Sequence, residues 1–179
     1  MFEQAELGRQ ISKEEYEKAL PQLRTDLLRV QNELRVDPRF AVLILISGVD
    51  GAGKGETVNI LHEWMDPRFL EAYAFGPKTT EELERPPQWR FWRDLPPKGR
   101  VGIFFGSWYT DPIVQRVHGQ TKDSQLEAAI NRIVLLEQYL SADGLLLLKF
   151  WFHLAKDSQK KRLKTLAKDP RQSWRVTNS

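Results

Sequence analysis

Seven residues, Gly48 to Lys54, have the types and spacing of a loop that binds phosphate groups. They read G-V-D-G-A-G-K and follow a strongly apolar run, Phe40 to Ile46. The three glycines permit positive φ angles, so the backbone N–H groups can turn inward and surround an anion. The following helix adds the positive end of its dipole, and the Lys54 ammonium places a charge on the outer phosphates. The predicted phosphate- or nucleotide-binding residues are Gly48, Val49, Asp50, Gly51, Ala52, Gly53, Lys54, Gly55 and Glu56.

Two positions of this loop bear on metal binding. Gly55 stands where the common form of the loop has a Ser or Thr that helps to hold magnesium. Asp50 places a carboxylate beside the phosphates, which is unfavourable unless a cation lies between them. One hypothesis is that Asp50 binds Mg²⁺. The alternative is that its side chain only stabilises the turn.

The composition is that of one globular domain. The chain has 179 residues, of which 41% are hydrophobic, and it contains no cysteine. Disulfides and cysteine-ligated metals are therefore excluded, and the sequence shows neither an apolar run near 18 residues nor a signal-peptide pattern. We expect a cytoplasmic location and no membrane segment. The net charge of +3 suits a polyanionic substrate and does not require a nucleic-acid partner.

The elements that must position the loop alternate between helix and strand. The predicted helices are 13–36, 56–65, 80–84, 87–93, 122–140 and 158–166, and the predicted strands are 40–46, 71–75, 101–105 and 145–152. Pro21 predicts a kink or break near Leu20 in the first helix. Continuously apolar strands between helices are typical of an α/β fold with a parallel sheet covered on both faces. Ligands bind such sheets at the carboxyl ends of strands, where the glycine-rich loop and the Ser107–Trp108 segment both fall.

The sequence also predicts how the chain is divided into a domain and its flanking segments. We expect a single domain over 1–179, with an N-terminal helical segment over 1–38 and the start of a lid over 153–179. Because only four strands are predicted, the sheet is one element short, and we expect the chain to be a fragment of a longer protein. The last third is rich in basic residues: Lys156, Lys160, Lys161, Arg162, Lys164, Lys168, Arg171 and Arg175. They predict either a solvated helix face or a basic helix over the phosphate site.

Several segments, in order along the chain, resemble the polyphosphate kinase 2 family. They are Gly48–Gly55, Trp89–Arg90, Gly102–Phe104 with Ser107–Tyr109, Arg116–His118, Phe152–Leu154, Asp169–Pro170 and Trp174. The opening Phe2–Gly8 and the segment Glu84–Trp92 are similar to the first half of two-domain members described as polyphosphate:AMP phosphotransferases. The resemblance implies a three-layer, P-loop kinase-like fold with a basic helical lid. It also implies phosphoryl transfer between inorganic polyphosphate and AMP or ADP, with Mg²⁺.

The resemblance further implies roles for four residues. Asp50 and Lys54 match the family's loop aspartate and phosphate-contacting lysine, Arg90 the arginine of a Trp-Arg pair, and Arg116 a second arginine on the phosphate side. The implied partners are inorganic polyphosphate and an adenine nucleotide, without a membrane. A homo-oligomer, or packing against a second homologous domain, is also implied.

One departure from the family affects the predicted chemistry. Just before the serine the family has Asp-Arg or Asn-Arg, which complete magnesium binding and contact phosphate, whereas this chain has Phe105 and Gly106. Because phosphoryl transfer rests on positioning and charge neutralisation, loss of one arginine can cost a factor of about 10³ or more. We therefore expect this segment alone to be slow or inert.

Three functions stay open at this point. The first is a polyphosphate-dependent nucleotide phosphotransferase. The second is a non-catalytic phosphate-binding domain that packs against a catalytic copy, and the third is an ATP-dependent small-molecule kinase. Phe105 and Gly106 favour the second reading for this segment, and Gly55 argues against the third. Among the tryptophans, Trp108 is the candidate to stack on a nucleotide base.

Overall fold

A computed structural model describes residues 8, 10–171 and 173 of the chain. The helices are α1 (Lys13–Val36), α2 (Lys54–Trp64), α3 (Thr80–Leu83), α4 (Trp89–Arg93), α5 (Thr110–Val117), α6 (Asp123–Ala142) and α7 (Lys156–Lys168). The strands are β1 (Ala41–Gly48), β2 (Leu70–Ala74), β3 (Val101–Phe105) and β4 (Leu145–Phe152), and a short 3₁₀ helix spans Pro67–Phe69. Trp174 and most of the opening segment, both part of the family resemblance, lie outside the described residues.

All four strands run parallel in one sheet, in the order β2-β3-β1-β4. The two central strands are the most apolar and the most buried: Leu43, Ile46, Ile103 and Phe104 are at most 1% exposed. Parallel strands buried on both faces are expected to be continuously hydrophobic, as these are. The predicted parallel α/β sheet is confirmed.

Helices cover both faces of the sheet and make the three predicted layers. On one face, Leu27 and Leu34 of α1 and Leu61 of α2 pack against Ile44 and Ile46 of β1 and their neighbours. On the other face, Phe91 of α4, Trp108 and two α6 residues, Ile133 and Leu140, pack against Leu45 and Phe104. Alternate residues of each strand point to opposite faces, so each β1 residue serves one of these two cores.

Pro21 does not break the first helix. Helix α1 is continuous through this position for 24 residues, so the predicted break near Leu20 is wrong. The proline lies on the exposed side of the helix, where water can satisfy the carbonyl that loses its partner, while Leu27 and Leu34 anchor the next turns to the sheet.

Other differences concern helix ends and one missed helix. Helix α2 begins at Lys54 instead of at 56, and α7 extends two residues beyond the predicted basic helix at each end. Helix α5 was not predicted, because Pro112 lies near its start and the segment is only eight residues long. Pro is nevertheless tolerated in the first turn of a helix, where its missing N–H costs no hydrogen bond.

Candidate phosphate-binding site

The glycine-rich loop joins the end of β1 to the start of α2, as the sequence predicted. Gly48 is the last residue of β1, with φ of 139°, and a Cβ there would collide with the backbone of Phe152 in β4. The Val49 N–H donates to the carbonyl of Phe152, 3.0 Å away, and ties the loop to β4. Gly51 and Gly53 also have positive φ, 78° and 95°. The loop therefore takes a conformation that other residues would strain, as a backbone nest requires.

Lys54 is the first residue of α2 and points back across the loop. Its Nζ donates to the Gly48 carbonyl at 2.6 Å and lies 3.2 Å from Oδ1 of Asp50. The Lys54 side chain is only 16% exposed, whereas that of Asp50 is 82% exposed. The ammonium thus lies among oxygen acceptors at the N-terminus of a helix, where the first N–H groups lack intrahelical partners and favour an anion. Gly55 and Glu56 follow in the first turn, both exposed.

A cavity of about 260 Å³ opens beside Lys54 at the carboxyl ends of β1 and β3. Its walls are mostly apolar and include Phe105, Tyr109 and Ile113, with Gly48 and Gly106 contributing backbone. The Lys54 ammonium lies 6.0 Å from the centre of the Phe105 ring. Position 105 therefore faces the phosphate loop, and it presents an aromatic ring there in place of an oxygen ligand.

The basic helix α7 lies next to the loop. Gln159 donates from Nε2 to the backbone carbonyl of Asp50 at 3.0 Å, and a Cβ at Gly51 would lie 3.7–3.8 Å from side-chain atoms of Leu163 and Arg162. The sequence left two alternatives for the basic segment, a solvated helix face or a helix over the phosphate site. The contact of α7 with Asp50 and Gly51 supports the second. Arg162 is the basic residue of α7 that these contacts place beside the loop, where its charge would favour an anion.

Arg90 lies away from the cavity, in a buried cluster of its own. Its guanidinium is 8% exposed, lies 3.4 Å from a carboxylate oxygen of Glu82 and donates to the Gly76 carbonyl at 3.1 Å. It also lies 5.1 Å from the centre of the Phe75 ring. Phe75 in turn lines the cavity beside Lys54, so Arg90 supports the wall of that cavity. A direct role for Arg90 in phosphate binding stays a prediction.

Arg116 is also separate from the loop cavity. It lies at the end of α5, where Nε donates to Oδ1 of Asp123 at 2.7 Å, and its side chain is 42% exposed. The ion pair joins the end of α5 to the start of α6. The structure therefore brings Asp50 and Lys54 together, but places Arg90 and Arg116 in other ion pairs, and their proposed catalytic roles stay predictions.

A hydrogen-bonded network that the sequence reading missed centres on Glu137 of α6. Its Oε1 accepts from the Tyr109 hydroxyl at 2.8 Å and from the Trp108 indole at 3.1 Å, and its Oε2 accepts from Lys149 at 2.7 Å. Burial raises the pKa of Tyr109, and the bond to Glu137 adds to this effect. Burial by itself lowers the pKa of Lys149, but the bonds to Glu137 and Tyr109 outweigh it and the pKa is raised.

This network fixes the segment between β3 and α5. Trp108 is 4% exposed and is held at its N–H, so it forms part of the core wall instead of an open stacking platform. Only helical spacing hinted that Glu137 lies on the inner face of α6, and no sequence signal paired it with Lys149.

A second cavity, of about 310 Å³, is lined by the Ser107–Trp108 segment and by residues of α4, α5 and α6. It combines an aromatic wall, Phe91 and Trp108, with the amide side chains of Gln88, Gln115 and Gln125. At its edge Lys78 pairs with Asp111 at 2.7 Å. Aromatic surface with a few hydrogen-bonding groups is the usual lining of a small-molecule pocket.

The residues near the loop fit a magnesium ion only in part. Asp50 offers an exposed carboxylate beside the place where an anion would bind, and Mg²⁺ is commonly held by one or two carboxylates together with substrate phosphates and water. Within the described residues, no group of three or more His, Cys, Asp or Glu side chains could hold a metal by itself. Asp50 therefore fits as a single protein ligand, with phosphate oxygens supplying the others.

Comparison with known proteins decides the family. Residues 10–179 match the model of the family described as polyphosphate kinase 2. The chain belongs to the polyphosphate kinase 2 family. This agrees with the resemblance seen in the sequence and confirms the P-loop kinase-like fold.

Curated members of the polyphosphate kinase 2 family include close relatives. The polyphosphate:AMP phosphotransferase of Pseudomonas aeruginosa is 55% identical over 177 residues, which is 99% of this chain and 36% of that protein. The ADP-polyphosphate phosphotransferase of Rhodopseudomonas palustris is 31% identical, over 93% of this chain and 62% of that protein. The crystal structure of polyphosphate kinase 2 from Arthrobacter aurescens TC1 superposes with a TM-score of 0.89 at 30% identity, over 96% of this chain and 62% of that one.

The chain spans about a third of the length of the Pseudomonas relative. Across the part of the chain that the structure describes, no helix is both long and apolar enough to cross a membrane.

Proposed function

We propose that this chain is the phosphate-loop domain of a polyphosphate-dependent nucleotide phosphotransferase. The reaction is phosphoryl transfer between inorganic polyphosphate and AMP or ADP. One observation carries the proposal: in a polyphosphate kinase 2 family member, Lys54 starts a helix behind a positive-φ glycine loop and faces a cavity at the carboxyl end of the sheet. The activities for which the relatives from Pseudomonas and Rhodopseudomonas are named support the substrate class.

Each part of the loop has a distinct task in this proposal. The N–H groups at the start of α2 and the Lys54 ammonium hold phosphate oxygens and offset their charge. When the anion binds, Lys54 exchanges its bonds to Gly48 and Asp50 for phosphate oxygens, which leaves the Asp50 carboxylate open to a cation. Mg²⁺ held there would neutralise charge on the phosphates. Helix α7 would supply further positive charge as part of a lid.

The second cavity is our candidate for the nucleotide's base and ribose. It is lined by Ser107 and Trp108, whose chain neighbours Gly106 and Tyr109 line the cavity beside Lys54, and its aromatic wall and amide groups suit a nucleoside. Its volume of about 310 Å³ is at the lower end of small-molecule pockets. In this arrangement the two substrates occupy different cavities, both lined by residues of the loop that follows β3.

A second function for this segment is favoured by Phe105. Its ring faces the Lys54 ammonium, where an oxygen ligand would assist a metal, and Gly106 adds no charge. The segment would then bind phosphate but transfer it slowly, and would shape the site of a catalytic domain or of another subunit against which it packs. A cytoplasmic location and a homo-oligomer, or packing against a second homologous domain, belong to this proposal.

Ligand-dependent thermal unfolding tests the substrate class. A ligand that binds only the folded chain raises the unfolding midpoint, by an amount that grows with its concentration relative to Kd. Long-chain polyphosphate should raise the midpoint, and AMP or ADP should add to the effect with Mg²⁺ present. Stabilisation by ATP but not by polyphosphate would overturn the proposal in favour of an ATP-dependent kinase.

The same measurement tests the metal role of Asp50. In the Asp50→Asn variant the amide keeps the turn but loses the charge that binds a cation. We expect polyphosphate to stabilise the variant equally with Mg²⁺ and with EDTA, whereas the unaltered chain responds to Mg²⁺. An equal response to Mg²⁺ in both proteins would assign Asp50 to turn stabilisation alone.

A further inference from the structure

A single carboxylate holds two neighbouring residues that line different cavities. Trp108 lines the second cavity, of about 310 Å³, and Tyr109 lines the cavity of about 260 Å³ beside Lys54. Oε1 of Glu137 accepts from the Trp108 indole at 3.1 Å and from the Tyr109 hydroxyl at 2.8 Å. Because both donors share this one oxygen, a displacement of either side chain alters the hydrogen bond of the other.

Helix α5 continues this shared wall. Asp111 and Gln115 line the second cavity, whereas Ile113 and Val114 line the cavity beside Lys54. A shift of the helix would therefore change the shape of both cavities at once.

Polar contacts at its two ends hold α5 in place more than apolar packing does. All eight of its residues are exposed or only partly buried, and Val114 and Val117 are 46% and 77% exposed. The Glu137 network lies just before its first turn, and at its end Arg116 pairs with Asp123. Elements with few buried apolar contacts move at a low cost in free energy. Helix α5 is thus well suited to shift when a ligand binds.

We propose that the two cavities are coupled through α5 and Glu137, so that an oligophosphate beside Lys54 and a nucleoside monophosphate in the second cavity each raise the other's affinity. The inference rests on the proposed function, since that proposal assigns these ligands to these cavities. Glu137 is a positioning residue that works through Trp108 and Tyr109, whose side chains it holds. The coupling is positive because the first ligand fixes the shared wall, and the second then loses less freedom on binding.

Paired titrations test the coupling. The affinity of this chain for tripolyphosphate would be measured by calorimetry without AMP and with saturating AMP, at constant Mg²⁺. We expect AMP to strengthen tripolyphosphate binding at least about fivefold, and tripolyphosphate to strengthen AMP binding by the same factor, because coupling between two sites is reciprocal. A smaller factor, or competition between the two ligands, would overturn the inference.

The Tyr109→Phe variant tests the route of the coupling. It keeps the aromatic wall beside Lys54 and removes the hydroxyl that reaches Glu137. Tyr139→Phe is the matched control, because Tyr139 is 75% exposed on the same helix as Glu137. We expect the coupling factor to fall below about twofold in Tyr109→Phe and to stay unchanged in Tyr139→Phe. A larger factor in Tyr109→Phe, or an equal loss in both variants, would refute the role of Glu137.

The Trp108 indole N–H gives a second readout, which needs no nucleotide. Its resonance in ¹H–¹⁵N spectra is identified by its loss in Trp108→Phe. We expect tripolyphosphate to shift this resonance in the unaltered chain, although Trp108 lines the other cavity, and to shift it less than half as far in Tyr109→Phe. An unmoved resonance at saturating tripolyphosphate would contradict the coupling.

The two proposals fail in different ways. If tripolyphosphate or AMP does not bind this chain, the proposed function fails, and the coupling fails with it. If both ligands bind independently of each other, only the coupling is refuted.

Discussion

In the proposed function, phosphate binding depends on Lys54. Its ammonium is largely buried and donates to a carbonyl and a carboxylate, both of which an anion would replace. A hydrogen bond to a charged group contributes about 1.5–3 kcal/mol, so Lys54→Met should weaken tripolyphosphate binding by about 10- to 100-fold in titration calorimetry. The Lys13→Met control removes the same charge from an exposed site on α1 and should leave the affinity within about twofold. Equal losses in both variants would mean that net charge alone drives binding.

Gly48 is the position where the loop's backbone tolerates no side chain. Its φ of 139° and its approach to the backbone of Phe152 both oppose a Cβ. We expect Gly48→Ala to lower the free energy of unfolding by about 2–4 kcal/mol in urea titrations, since strain and a backbone collision combine.

Gly55 provides the matched control for Gly48. It lies in the first turn of α2 with no atom within 4 Å of a Cβ, so Gly55→Ala should leave stability unchanged or raise it by up to about 1 kcal/mol. If both substitutions had the same effect, the packing of the loop against β4 would be wrong.

At the scale of elements, Glu137 joins a helix, a strand and the loop after β3. Glu137→Gln keeps the shape but removes the charge that Lys149 and the Tyr109 hydroxyl face. The free energy of unfolding of the variant should fall by about 1–3 kcal/mol, because the buried Trp108 indole and the partly buried Tyr109 hydroxyl lose a charged acceptor. Tyr109→Phe, which removes one donor and leaves the carboxylate, should cost less.

The stabilising contribution of the same network should decrease as the pH rises. The pKa values of Tyr109 and Lys149 are both raised in the folded chain, so their contribution is present below pH of about 10 and is lost as the pH rises through the folded values. Unfolding midpoints of the unaltered chain should therefore fall more steeply than those of Glu137→Gln in strongly alkaline buffers. Parallel curves would show that the network does not couple to these protons.

The sequence predicted the local elements of the site but not the ion pairs that depend on how those elements pack. The glycine loop, Asp50 and Lys54 were located because their chemistry lies within seven consecutive residues, and β1 and β3 because buried parallel strands are continuously apolar. The ion pairs of Arg90 with Glu82 and of Arg116 with Asp123 depend on how α3 and α4, or α5 and α6, pack, which local patterns do not encode. Helix α7 was expected from its charge, but its contact with the loop is a tertiary contact over 109 residues.

At the scale of the whole molecule, the proposed function separates phosphate binding from phosphoryl transfer. Transfer needs charge neutralisation on several sides of the moving group. The chain supplies Lys54, the start of α2 and the basic helix on one side, but Phe105 and Gly106 supply none at the end of β3. In this proposal the cavity would contact an anion on one side only, so it would suit binding, and catalysis would require charges from elsewhere in the polypeptide or from another subunit.

The turnover of the 179-residue chain tests how far the lack of charge at Phe105 and Gly106 limits phosphoryl transfer. With AMP and polyphosphate we expect a rate at least about 10³-fold below the ordinary kinase range of about 1–100 per second. The Phe105→Asp variant should gain magnesium-dependent tripolyphosphate binding, because its carboxylate would face the loop beside Asp50. The Phe105→Asn variant should show no such gain, because Asn is similar in size to Asp but carries no charge. Both variants lose packing of a partly buried ring, so their unfolding midpoints should fall alike and only the magnesium response should differ. Ordinary kinase turnover by the unaltered chain would show that Phe105 and Gly106 do not limit transfer.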